Sequence, residues 1–284
     1  MMNTYKLNYS QLRQNPTITE MLSALERGFQ KFDIDFYLVG AVARDAWMSI
    51  KEKKASRTTG DIDFAVLINN KAVYGDLKDY LTQYEDFAPS SQNAFVLIWK
   101  DKTQVDLLPF GNIKDEDGNV SVEGTGLTSV RMPGFDEIYE EGLPELILED
   151  KHQFKFCTLP GIVLLKLIAW DDRPEIRSKD IYDISDILNH FFDMYDNEIW
   201  EYHSDLFEDE EDDLKHIASR VMGREIGKIA KRNEKLFSRV NTILNENTED
   251  IHKSKIAMMM VAYFDNTVTE NVQLLKQLQK GFLE

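Results

Sequence analysis

Two stretches of the chain hold residues whose types and spacing could do chemistry. In the first, Phe36-Tyr37-Leu38-Val39 runs into Gly40-Ala41-Val42-Ala43-Arg44-Asp45, and a second apolar pulse holds Gly60-Asp61-Ile62-Asp63-Phe64-Ala65-Val66. The pattern predicts a strand, a tight turn, a helix and a second strand. Gly40 has no Cβ and lets the backbone come close to a ligand. A helix opening at Ala41 aims free N–H groups at that ligand, which suits phosphate. Strand side chains alternate with period two, so Asp61 and Asp63 share a face while Ile62 and Phe64 point into the core. Two carboxylates on one face repel each other unless a cation sits between them. Mg²⁺ meets that need, because it takes one or two carboxylates together with phosphate oxygens.

Gly40-Ala41-x-x-Arg44-Asp45, a spacer and then Asp61-Ile62-Asp63 resemble the signature of the polymerase-beta-type nucleotidyltransferase superfamily. That signature is a Gly-Gly or Gly-Ser turn, a helix, and Asp-x-Asp on the following strand. The resemblance implies a third carboxylate on a neighbouring strand, and Gln104-Val105-Asp106-Leu107-Leu108 supplies Asp106. It further implies that Asp61, Asp63 and Asp106 hold Mg²⁺, or Mn²⁺ in its place, with an NTP such as ATP as substrate. Gly40, Ala41, Arg44 and Arg57, the last in the lead-in Arg57-Thr58-Thr59, would contact the nucleotide. Ala41 stands where the family has Gly or Ser, so a hydroxyl contact to the triphosphate is missing. Asp33-Ile34-Asp35 repeats the same tripeptide without a Gly turn and helix before it, and reads as a solvated loop.

The second stretch is Pro160-Gly161-Ile162-Val163-Leu164-Leu165-Lys166-Leu167-Ile168-Ala169-Trp170, an apolar helix interrupted by one lysine. Burying that ammonium is costly without a partner. It therefore snorkels to solvent, pairs with an acid of the next helix, or serves a ligand. A Pro-initiated helix with a central Lys, then Arg173, then Arg177-Ser178-Lys179-Asp180-Ile181-Tyr182-Asp183, resembles the AbiEii-type toxin family within the nucleotidyltransferases. The resemblance spans roughly residues 36–190. It implies that Lys166, Arg177 and Lys179 face the nucleotide and neutralise triphosphate charge. Asp180 would act near the attacking hydroxyl or position the lysines, and Asp183 would be structural. On this reading Lys166→Met loses NTP affinity while stability holds or rises slightly.

Stepping outward, the elements that must position these residues follow from periodicity. Thr17 to Phe32 reads as a helix with Met21, Leu22, Leu25 and Phe29 on one face. Lys71 to Tyr84 makes another helix, and Ala94 to Trp99 and Thr103 to Leu108 read as strands around a turn at Lys100-Asp101-Lys102. Glu116-Asp117-Gly118-Asn119 is a hairpin signal. Further strands are expected at Leu146-Ile147-Leu148 and Phe154 to Thr158. From Leu159-Pro160 onward almost every segment reads as helix, with Pro well placed at a first helical position. The expected architecture is α/β (α+β): a nucleotidyltransferase domain over 1–158 with a mixed sheet flanked by helices, then an α-helical domain over 159–284.

Composition bounds the rest. The 284 residues suffice for two modest domains, and the 43% apolar and 29% charged content is that of an ordinary globular protein. The N-terminus lacks the apolar core of a secretory signal, and no apolar run is long enough to span a bilayer. A single cysteine, Cys157, excludes an intramolecular disulfide framework and fits a bacterial cytoplasm; its expected state is a small buried thiol. The five histidines are scattered without metal-ligand spacing. Gly124-Thr125-Gly126 precedes no helix pattern, which argues against a dinucleotide site.

Charge bears on the acceptor. With 33 basic and 50 acidic residues the formal net charge is −17, which opposes broad binding to nucleic acid. Lys51, Lys53, Lys54 and Arg57, with Arg173, Arg177 and Lys179, could still make the nucleotide site locally positive. Asp193 to Asp213 has no Lys or Arg and reads as a solvated loop and helix start, or as a docking surface for a basic partner. The expected reaction moves an NMP from an NTP to an acceptor hydroxyl in RNA, protein or a small molecule, and the expected role is type IV toxin-like, with a cognate antitoxin. Three alternatives stand beside it. One is an aminoglycoside- or lincosamide-type adenylyltransferase. The second is a tRNA nucleotidyltransferase, and the third a catalytically silent nucleotide-binding module.

Overall fold

The computed structural model of the chain describes residues 3–12, 14, 16–53, 60–100, 102–116, 118–207, 213–263 and 265–284. It divides into two compact units, Met1–Thr158 and Leu159–Glu284.

The first unit is a mixed α/β structure. Its elements are β1 (Thr4–Leu7), α1 (Ile18–Lys31), β2 (Phe36–Val39), α2 (Gly40–Ile50), β3 (Ile62–Leu67), α3 (Lys71–Tyr84) and β4 (Phe87–Pro89). They continue with β5 (Val96–Trp99), β6 (Thr103–Phe110), β7 (Asn119–Ser121), β8 (Ser129–Arg131), α4 (Phe135–Glu141), β9 (Glu145–Leu148) and β10 (His152–Phe156). Eight strands form one sheet in the order β1-β9-β10-β2-β3-β6-β5-β4, and β7 and β8 pair separately. The centre of the sheet sets the register that matters. β2 runs antiparallel to β3 with Val39 opposite Asp63, and β3 runs parallel to β6 with Asp63 opposite Asp106.

Period-two alternation sorts these strands into two faces. Phe36 and Phe64 lie on one face and meet Phe29 of α1, with ring centroids 4.4 and 6.4 Å away. Tyr37, Asp63 and Asp106 lie on the other face, where Tyr37 packs edge-on against Phe110 at 5.5 Å. Tyr74 of α3 donates its hydroxyl to the Leu107 carbonyl at 2.8 Å, which clamps that helix to the strand bearing Asp106. Trp47 of α2 donates to the Cys157 carbonyl at 2.9 Å. Cys157 itself is fully buried, and burial pushes its thiol well above the ordinary range, so it is an inert core residue.

Four features differ from the sequence expectation. β1, β4 and α4 carry too few periodic apolar residues to announce themselves; β1 forms because β9 offers an open parallel edge to Thr4–Leu7. Around the Asp-Gly signal, Asp115 accepts from Gly118 N through its carbonyl and from Asn119 N through its side chain, and among the described residues no strand precedes β7 to pair with it there. β7 pairs instead with β8 across the Gly124-Thr125-Gly126 loop, and Asp117 lies outside the described residues, as does Asp101 in the Lys100–Lys102 turn.

Of the repeated tripeptide, only Asp33 is a solvated loop residue. Asp35 accepts hydrogen bonds from Lys155 Nζ and Tyr139 Oη. Burial alone would raise the Asp35 carboxyl; the bonds from Lys155 and Tyr139 outweigh it and hold the carboxyl below the usual carboxylate range. The acidic stretch is the fourth difference. Residues 193–202 complete a helix of the second unit because Phe191, Met194 and Ile199 anchor it at helical spacing among the acids. Glu208 to Asp212 lie outside the described residues.

A pair of substitutions separates the two tripeptide acids. Asp33→Asn is expected to change stability by less than about 0.5 kcal/mol, since Asp33 is exposed at φ +52°, where Asn is equally tolerated. Asp35→Asn is expected to cost about 1 kcal/mol at neutral pH, a figure already reduced for a carboxylate 40% exposed. A depressed native carboxyl stabilises above its unfolded value and loses that contribution as pH falls. The parent–variant difference should therefore vanish in urea melts below pH ~3. A difference that persists there would dismiss the ion pair as its source.

The second unit is all helical: α5 (Leu159–Asp172), α6 (Ser178–Tyr202), α7 (Leu214–Ala230), α8 (Glu234–Thr248), α9 (Lys255–Met260) and α10 (Val268–Leu283), with a 3₁₀ turn at Ser204–Phe207. α6 kinks at Tyr195, whose φ of −128° is not helical. α7 and α10 cross backbone to backbone. A Cβ on Gly223 would stand 1.9 Å from the Leu278 carbonyl oxygen, so no side chain fits there. No helix among the described residues is long and apolar enough to cross a membrane.

Candidate active site

The site of the first unit is built where β2 turns into α2. Val39 ends the strand, and Gly40 opens the helix at φ +68°, a left-handed conformation that favours glycine. The reason lies across the sheet. A Cβ on Gly40 would fall 2.1 Å from Asp63 Oδ2, so the Asp63 carboxylate packs directly over the bare Cα. The N-cap residue, Val39, has no side-chain acceptor and makes no capping bond to the first turn of α2, the end of a helix whose N–H groups suit an anion.

Asp63 and Asp106 are brought together by register. They sit directly opposite on adjacent parallel strands, about 4.8 Å apart in the pairing direction, with both side chains on the same face and half-buried. Gln104, two residues earlier on β6, donates its amide to Asp106 Oδ1 at 2.9 Å. Asp61 precedes the strand and is exposed. Among the described residues no three histidine, cysteine or carboxylate groups are gathered as a ready-made metal cage. The donor set nevertheless fits a hard cation of the Mg²⁺ or Mn²⁺ kind. Two oxygen donors on one face, with substrate oxygens to complete the shell, is how such ions are bound.

The expected nucleotide contacts fare differently. Gly40 is half-buried at the turn, whereas Ala41 is buried and Arg44 is fully buried. The Arg44 guanidinium donates to Asp45 Oδ1 through Nε at 2.9 Å and Nη2 at 2.6 Å. Buried in this way, Arg44 braces α2 inside the core. Arg57 and Lys54 lie outside the described residues; Lys51 and Lys53 are half-buried where α2 ends.

The second unit holds its own charged cluster. Asp180 and Asp183, three apart on α6, lie on one face of that helix. Lys166 of α5 reaches both, with Nζ 2.9 Å from Asp180 Oδ1 and 2.6 Å from Asp183 Oδ2. All three side chains are buried, Asp183 completely. The Arg177 guanidinium stands 3.6 Å from Asp180 Oδ2. Of the three alternatives for a lysine in an apolar helix, the structure shows pairing with acids of the next helix. Arg173, Arg177 and Lys179 are exposed. The sequence reading missed Arg239 of α8, which donates to the Ile168 carbonyl, Asp171 and Asp172 and so closes the end of α5. No local signal links residues that far apart in the chain.

A glycine turn fitted under the second acid of Asp-x-Asp, with a further acid in register on the next parallel strand, is the arrangement of a nucleotidyltransferase in a mixed α/β fold. The sequence comparison supports that class. The model of the family described as nucleotidyl transferase AbiEii toxin, type IV toxin–antitoxin system, matches residues 23–267. The chain belongs to this family. No curated protein matches it. Among solved structures, the solution structure of the antibiotic-resistance factor ANT(2'')-Ia is similar over 57% of this chain and 77% of that one, with 12% identity and a TM-score of 0.35.

Proposed function

We propose that the protein transfers a nucleoside monophosphate from an NTP to an acceptor hydroxyl and releases pyrophosphate. The observation that supports this most is the Asp63–Asp106 register over the bare Cα of Gly40. In the proposed reaction the acceptor oxygen forms a bond to the α-phosphorus. The bond from that phosphorus to the bridging oxygen breaks, and the electron pair leaves with pyrophosphate. Asp63 and Asp106 would hold Mg²⁺, or Mn²⁺, with Asp61 available from the preceding loop. The ion's chemistry is to neutralise charge on the triphosphate and on the leaving oxygens. Asp106 would also take the acceptor proton, and the first turn of α2 would donate N–H groups to phosphate oxygens. In the second unit the exposed Lys179 and Arg177 have charge to offer a triphosphate. Lys166 is committed to two carboxylates, so its part is to position Asp180.

The biological reading follows the family. We infer a toxin role in the cytoplasm, countered by a cognate antitoxin, with the acceptor in RNA, protein or a small molecule. The acidic sequence from Asp193 to Asp213, without Lys or Arg, is proposed to attract a basic partner. The test offers α-³²P-labelled NTPs with Mg²⁺ to separate pools of tRNA, protein and aminoglycosides. Label transferred to one pool is the expected result and assigns the acceptor class. ATP bound but never turned over, with any pool, would favour the catalytically silent module.

A further inference from the structure

Asp63 and Asp106 create a physical difficulty that the Gly40 turn does not solve. Like charges directly opposite on paired strands are destabilising, and side chains relieve the repulsion by rotating apart. An Asp on a strand has two torsions with which to do so. A hydrogen bond from the same strand opposes that rotation for Asp106. Gln104 shares its face by the period of the strand, and its Nε2 lies 2.9 Å from Asp106 Oδ1. A carboxylate can only accept, so the amide presents its NH₂ end and the flip state is settled by chemistry. The amide brings a donor without bringing charge, so it orients the carboxylate without competing electrostatically for a cation.

We propose that Gln104 is a positioning residue that holds Asp106 in register with Asp63 and thereby sets the affinity of the site for a divalent cation. This rests on the reading of Asp63 and Asp106 as the cation and nucleotide site. A Lys or Arg in place of Gln104 would neutralise the pair and exclude the ion. An apolar residue would remove this donor and loosen the orientation of Asp106. Partners that orient a metal ligand typically contribute 10–100-fold in metal affinity, which sets the size of the expected effect.

The experiment is a Mn²⁺ titration of the full chain without nucleotide, followed by the electron paramagnetic resonance of free Mn²⁺. The parent, Asp63→Asn and Gln104→Met are compared, each with a thermal melt. The parent should bind, Asp63→Asn should not, and Gln104→Met should bind about tenfold more weakly at an unchanged melting temperature. In turnover, Gln104→Met should raise the KM for Mg²⁺ and recover kcat at saturating Mg²⁺, which a merely structural lesion would not do. Should Gln104→Met lower the melting temperature, Gln104→Thr keeps a strand-favouring residue too short to reach Asp106 and should show the same weakening. Parent-like affinity in a folded Gln104 variant, beside a non-binding Asp63→Asn, would overturn the proposal alone. Parent-like binding by Asp63→Asn would overturn the site reading and this proposal with it.

Discussion

Asp63→Asn is expected to abolish nucleotidyl transfer and to leave the fold intact. The change keeps volume and shape, so the fit over Gly40 is retained. It removes one of two charges that face each other across β3 and β6. Stability should therefore hold, because the side chain keeps its shape and one of two like charges on paired strands is removed. Activity should fall by about three orders of magnitude or more. A bound metal contributes several kcal/mol of charge stabilisation in the transition state, and each 1.36 kcal/mol is tenfold in rate. Thermal melts and labelled-NTP turnover on the same preparation check both halves. A folded variant with parental activity would remove Asp63 from the chemistry.

Lys166→Met is expected to destabilise the helical unit by about 3–5 kcal/mol, the usual cost of removing one partner from a buried ion pair. The sequence alone suggested the opposite, a neutral or slightly favourable change, since Met suits an apolar helix. The structure reverses the sign. Lys166 Nζ neutralises Asp180 and Asp183 at 2.9 and 2.6 Å, and with Met in its place two buried carboxylates face each other without it. A compensated variant, Lys166→Met with Asp180→Asn and Asp183→Asn, should recover most of the loss. An apolar or neutral replacement of the whole cluster removes the unpaired charge as well as the pair. Denaturant unfolding of the three proteins decides the matter. If Lys166→Met alone matches the parent in midpoint and slope, the cluster contributes nothing to stability and its place in binding regains weight.

The fate of individual residues shows how far the sequence reaches. Met21, Leu22, Leu25 and Phe29 lie buried along one face of α1, as their spacing predicts, and Lys71–Tyr84 forms the predicted helix at its predicted bounds. Gly40, Asp63 and Asp106 were legible because each is a local signal: a turn residue between two apolar pulses, and acids at alternate positions in strands. What the linear pattern cannot hold is pairing. That Asp63 faces Asp106 follows from which strands neighbour each other and in what register. That Asp35 belongs to a Lys155–Tyr139 network depends on residues more than a hundred positions away. Arg44 reads in the sequence as a cation for a ligand; its burial with α2 and the bond of its guanidinium to its own neighbour Asp45 emerge only from the fold.

The sequence by itself determined the class of chemistry, the order of the elements and the kinds of side chain available at each. Those depend on local propensity and periodicity, which a linear chain displays in full. Only the tertiary structure decided which charges are offered and which are already spent. A Lys–Asp contact across two packed helices, or a Gln amide on one carboxylate oxygen, is worth something only at hydrogen-bonding distance and out of bulk water. Distance and burial are properties of the folded chain, and they show Lys166 paired with two buried carboxylates of the next helix, a contact the linear pattern offered only as one alternative.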